Sequence, residues 1–94
     1  MLEKLIVKKC KDFLENQGCV ILKSHGGSFG TVFAPDLYGV CHGVSVWIEV
    51  KQPGKKPTRG QQLFLERLER AGAVAFWTDS LDGCKTKYFK LVDK

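Results

Sequence analysis

Residues 44–51 alternate strictly. Val44, Val46, Ile48 and Val50 point to one side of an extended chain, and Ser45, Trp47, Glu49 and Lys51 to the other. That period of two predicts a half-buried strand. Upstream the period changes: at about 100° per residue, Leu2, Leu5, Ile6, Cys10, Phe13 and Leu14 share one broad face. An amphipathic helix is therefore predicted from about Leu2 to Asn16, with Gly18 as its stop. Cys19 to Lys23 reads as a short apolar strand, Ser24 to Gly30 as a glycine-rich connection, and Thr31 to Val40 as a strand broken by Pro35. Cys41-His42-Gly43 has the character of a hairpin turn leading into residues 44–51. A loop with Pro53, Gly54 and Pro57 follows, then a helix from about Arg59 to Ala71 with a Phe64, Leu65, Leu68, Ala71 stripe and Gly72 as its end. Ala73 to Thr78 is an apolar strand, and Lys87 to Val92 reads as a final one. The predicted order is αβββαβ plus a terminal strand, an α/β chain of one small domain spanning residues 1–94.

Composition narrows the picture modestly. The hydrophobic fraction is 44% and the charged fraction 27%, as in ordinary soluble globular proteins. No apolar run reaches the length of a membrane span and the amino terminus carries no apolar signal segment, so an intracellular protein with no membrane partner is expected. The four cysteines, at 10, 19, 41 and 84, match no zinc-ligand spacing, and unpaired thiols in a reducing compartment are expected. Fifteen basic against ten acidic residues give a net charge of +5, which favours a polyanionic partner. Lys51, Lys55, Lys56 and Arg59 crowd into one stretch, as phosphate-backbone contacts would.

Chemistry concentrates around the alternating strand. Glu49 and Lys51 lie on one face, about 7 Å apart along it, and Pro35-Asp36 precedes Glu49 by a strand and a turn. Two carboxylates with a backbone carbonyl suit a hard cation such as Mg²⁺, and a nearby ammonium can orient an attacking water. Glu3 projects into the apolar face of the first helix, where a carboxylate is costly unless paired, metal-bound or free at the helix end. Gln61 sits near the centre of the second helix's stripe; it could tie down the preceding loop, but the helix begins eight residues after Lys51, which favours Gln61 facing the Glu49/Lys51 cluster. Other features carry less. Gly26-Gly27-Ser28-Phe29-Gly30 lacks the Gly-Lys-Ser/Thr of a nucleotide loop, and His25 and His42 have no metal or dyad spacing. Trp47 and Trp77 lie in apolar strands and are expected in the core or an interface.

Taken together, Ala34-Pro35-Asp36-Leu37, Ile48-Glu49-Val50-Lys51, Pro57-Thr58-Arg59-Gly60-Gln61 with Phe64-Leu65-Glu66-Arg67-Leu68, and Ala71-Gly72-Ala73-Val74-Ala75-Phe76 resemble the VRR-Nuc family of the PD-(D/E)xK nuclease superfamily. Four elements occur in order, from the first helix to about Gly83; one departure is Ala34, where a glycine commonly precedes Pro-Asp. The resemblance implies a restriction-endonuclease-like mixed sheet flanked by helices and Mg²⁺- or Mn²⁺-dependent cleavage of DNA phosphodiesters. It implies metal ligands Asp36, Glu49 and the Val50 carbonyl, with Glu3 as a further candidate, Lys51 at the attacking water, and Gln61 supporting Lys51 or the phosphate. Lys55, Lys56 and Arg59 would contact DNA. Short stand-alone members of this kind are typically viral and resemble homodimeric nucleases selective for branched or junction DNA in replication, repair or recombination. The competing expectation is a DNA-binding module that keeps the fold without turnover.

Overall fold

The computed structural model describes residues 2–24 and 33–93. His25, the Gly26–Gly30 loop and the expected strand start at Thr31 lie outside the described residues. The elements are α1 (Glu3–Asn16), β1 (Val20–Lys23), β2 (Leu37–Cys41), β3 (Val44–Val50), α2 (Arg59–Arg70), β4 (Val74–Thr78) and α3 (Leu81–Val92). The sheet has the order β1-β2-β3-β4, antiparallel across β1, β2 and β3, with β4 parallel to β3. The parallel step needs a crossover, and α2 supplies it.

Ile6, Cys10 and Leu14 of α1 and Cys84 and Tyr88 of α3 pack on Ile21, Leu37, Val46, Ile48 and Val50, forming the main core on one face of the sheet. Val74 and Phe76 lean on the same core. Alternation therefore turns Ala75 and Trp77 to the opposite face, where Leu65 of α2 joins them around a shared groove. Both tryptophans are half-buried on that second face, and Trp47 stacks on its cross-strand partner Tyr38 at 5.2 Å.

Glycine terminators join helices directly to strands. At the end of α1, Cys19 N–H donates to Leu14 O and Gly18 N–H to Glu15 O, both at 3.0 Å, with Gly18 at φ 92°. Ala73, Gly72, Leu68 and Glu69 repeat this arrangement after α2. Such paired bonds satisfy the last carbonyls while reversing the chain, and the left-handed residue between them favours glycine. Ala71, expected in the α2 stripe, is instead the exposed C-cap residue.

Two expectations fail. The terminal strand expected over Lys87–Val92 is the second half of α3. Ser80 caps that helix by accepting from Gly83 N–H at 3.0 Å, and Leu81, Cys84, Tyr88 and Leu91 recur with helical spacing against the core. The thiols are not all free either. Cys19 and Cys41 form a disulfide, with Cα atoms 4.4 Å apart, whereas Cys10 and Cys84 remain buried thiols. The register explains the bond: Val20 pairs with Val40, so the next pair outward is Cys19 with Cys41, a close cross-strand position. That geometry is invisible without the strand pairing.

The disulfide closes a segment with a sequence separation of 22, so constraining the unfolded chain should contribute about 3 kcal/mol. Cys41→Ser, or full reduction, is expected to lower Tm by roughly 15 °C. Peptide mapping without reductant should recover the Cys19–Cys41 pair; free alkylation of both cysteines in the native protein would contradict it.

Candidate active site

The β2–β3 register builds the site. Leu37 pairs with Ile48, so one step beyond the strand sets Asp36 opposite Glu49. The twelve residues between them are β2, the His42-Gly43 turn and most of β3, and both turn residues have positive φ, as a tight hairpin requires. Asp36 Oδ2 accepts a 2.8 Å bond from Val50 N–H, which locks its carboxylate beside the end of β3. On the other flank Lys51 N–H donates to Thr78 O at 2.9 Å, continuing the pairing with β4 past the last strand residue. Asp36, Glu49, Val50 and Lys51 thus gather at one end of the sheet.

Glu49 is 4% exposed. Burial pushes its carboxyl up to about 8, aided by the charge of Asp36 and a hydrogen bond shared with it; Lys51 opposes the shift and Glu3 adds to it. Those influences set the geometry in electrostatic terms: two carboxyl groups in contact, one ammonium within range, and a third carboxylate farther off. Glu3, in the first turn of α1, is the weakest of these influences. Among the described residues, however, no three His, Cys, Asp or Glu side chains gather closely enough to hold a metal by themselves. The available donors are two carboxylates and a carbonyl, a set suited to a cation that keeps waters and takes substrate oxygens. One Asp36 oxygen is committed to Val50 N–H, leaving the other for a ligand. A cation between Asp36 and Glu49 would relieve the like-charge contact that raises Glu49, so the residues present fit one.

Gln61 takes the local role of its two alternatives. Its Oε1 accepts from Thr58 N–H at 2.9 Å, while Thr58 Oγ1 accepts from Gln61 N–H at 3.2 Å, a capping box that starts α2. Gln62, which the helical pattern points away, donates to Pro57 O at 3.3 Å and helps hold the same loop. The loop is also held by Gly54 N–H donating to Asp79 at 3.3 Å. Lys55, Lys56 and Arg59 are exposed along it, directly after the site strand.

Three supporting residues escape sequence reasoning. Thr78 is 5% exposed; its carbonyl holds Lys51, and its hydroxyl donates to Ser80 O at 2.9 Å. Gly83 makes room for that hydroxyl, since an added Cβ would collide with Thr78 Oγ1. Phe33 lies over Gly60, where a Cβ would come within 2.5 Å of its ring, bringing the segment before Asp36 against the start of α2. A threonine closing an apolar strand before a Ser cap was the only available cue.

Asp36→Ala should cost roughly 1–3 kcal/mol because it leaves the buried Val50 N–H without an acceptor. Asp36→Asn keeps an acceptor and should fold normally, a contrast that thermal melts will read. Glu49 generates a pH dependence. The folded protein retains its proton up to about 8, whereas the unfolded chain releases it near the ordinary 4.5. Metal-free stability should therefore fall as pH rises between those values. Glu49→Gln should raise Tm at pH 8 by at least about 4 °C, and the difference should shrink steadily as pH falls and vanish only below 4.5.

No family profile matches the chain, and no curated protein matches it in sequence. Solved structures do match. One, a VRR_NUC domain, is 29% identical with a TM-score of 0.76, covering 89% of this chain and 90% of its own. Another, a VRR_NUC domain protein, is 19% identical with a TM-score of 0.72, covering 97% of this chain and 90% of its own, and it bears on the fold alone. In its restriction-endonuclease-like sheet and flanking helices the chain is thus similar to VRR_NUC domains over most of its length, a likeness that supports a nuclease-type domain of that family.

Proposed function

We propose that this domain hydrolyses DNA phosphodiester bonds with Mg²⁺ or Mn²⁺ held by Asp36, Glu49 and the Val50 carbonyl. The observation that carries this reading is the buried contact of Glu49 with Asp36, a pair of carboxyls that fits a cation and is served by one ammonium. A bound divalent cation would supply Lewis-acid stabilisation of the charge that develops on the phosphate oxygens. Asp36 is held in orientation by Val50 N–H, so little reorganisation is needed when the substrate arrives. Lys51, whose charge Glu49 feels, would hydrogen-bond the attacking water and favour its loss of a proton. Glu3 stands behind Glu49 as a charge that tunes it. Lys55, Lys56 and Arg59 hold the phosphates beyond the cleaved bond, and Gln61 acts by fixing the start of α2 beside them.

Branched or junction DNA is the proposed substrate, cut by a homodimer. The apolar side chains left in water support a second copy: Val20, Leu22 and Val40 are 68%, 52% and 50% exposed on neighbouring strands, all on the face away from the main core. A two-fold pair supplies two cuts from one gene.

Purified protein should nick forked, flapped or four-way DNA only when Mg²⁺ or Mn²⁺ is present; DNA binding without any nicking would favour the non-catalytic module. Lys51→Ala should lower turnover about 100-fold or more with little change in affinity. Lys55→Ala and Arg59→Ala should instead weaken binding and flatten its salt dependence by about one unit each. Light scattering without DNA should give twice the 10.5 kDa chain mass; the single mass would remove the dimer.

A further inference from the structure

The basic loop after β3 is one of two lysine-rich surfaces on this domain. The other is a groove along α1, where Lys4, Lys8, Lys11 and Lys23 rim a floor that includes Leu2 and Leu5. Its position follows from the sheet. Lys23 ends β1 and pairs with Leu37, and Ser24 N–H donates to Asp36 O at 2.7 Å. In the order β1-β2-β3-β4 the backbone at Lys23 and Ser24 therefore runs beside Asp36, with the Lys23 side chain on the α1 face, while Lys51 and the loop of Lys55, Lys56 and Arg59 follow β3 on the other side. Leu2, Lys4 and Leu5 line the groove together with Lys23, so the first turn of α1 stands by the end of β1.

We propose that this groove is a second nucleic-acid surface, which takes an unpaired strand leaving the cleavage site; the proposal rests on the nuclease reading above. Lys4, Lys8 and Lys11 follow one side of the helix at i, i+4 and i+7, spanning about 10 Å, enough to follow a short run of backbone phosphates. Lys4 and Lys23 make no ion pair among the described residues. Lys8 and Lys11 pair with Asp12 and Glu15 at 2.7 and 3.1 Å, but these are exposed i,i+4 contacts that contribute little and exchange readily for phosphate. The floor selects the strand type. Leu2 and Leu5 are 67% and 44% exposed; a duplex turns its base faces inward and offers phosphates, whereas an unpaired strand also offers sugars and base faces that can cover apolar side chains. The loop of Lys55, Lys56 and Arg59 suits the duplex arm.

The test uses Asp36→Asn protein, which should bind without cutting, and anisotropy titrations of a duplex with a single-stranded arm and of the same duplex with blunt ends. Adding Lys4→Gln and Lys23→Gln should weaken binding of the armed DNA about tenfold near 0.1 M salt and leave the blunt duplex within about twofold. The salt slope for the armed DNA should drop by about 1.4, or 0.7 for each lost single-strand phosphate contact. Leu5→Ser should weaken the armed DNA while leaving the slope unchanged. Equal losses on both DNAs would overturn the unpaired-strand assignment, and unchanged affinity for both would overturn the groove. Loss of sedimentation with anionic vesicles, with DNA binding intact, would make the groove a membrane surface and also overturn it. If the parent protein neither binds nor cuts any DNA, the nuclease reading itself fails, an outcome distinct from a defect confined to the lysine variants.

Discussion

The bond from Val50 N–H to Asp36 Oδ2 is the contact on which the site depends. It closes the β2–β3 hairpin at the end opposite its turn and carries the antiparallel register one residue past the last strand pair. A slip of one residue would send Asp36 to the other face and bury the wrong side chains throughout the hairpin. The apolar set Leu37, Val46, Ile48 and Val50 resists such a slip because it must face α1 and α3. Core packing and the placement of the carboxylate are thus enforced by the same register.

Burying Glu49 against Asp36 works against folding in the absence of a cation. A carboxyl held protonated to about 8 records that cost, and the surrounding structure has to offset it. Thr78 and the disulfide contribute in different ways: one fixes the backbone at Lys51, and the other ties β1 to β2 at the far end of the hairpin. Local strain of this kind is common where chemistry needs charges that packing alone would exclude.

Charge is distributed to match. Lysines of α1 and β1 line one groove and those of the loop after β3 follow the carboxylate strand, while Glu66 and Glu69 of α2 line a separate groove against β4.

Much of this architecture was legible from periodicity and motif. The alternation of residues 44–51 identified β3 and the shared face of Glu49 and Lys51, helical spacing identified α1 and α2, and Gly18 and Gly72 marked their ends, because each of these signals is local. Pro35-Asp36 before Ile48-Glu49-Val50-Lys51 marked the site because a hairpin converts that spacing into proximity. The capping box Thr58-x-x-Gln61 was also written in the chain, yet Gln61 could be assigned to α2's start only once both of its bonds were visible. Non-local facts were decided by the tertiary structure. Lys87–Val92 has strand-like composition but joins α3 because Ser80 starts a helix upstream and Tyr88 and Leu91 fit the core. Cys19 and Cys41 became partners through strand register, which no spacing rule reveals. The elevated carboxyl of Glu49 likewise came from burial and from Asp36, set beside it by chain pairing; an isolated sequence has no burial, and therefore no such shift.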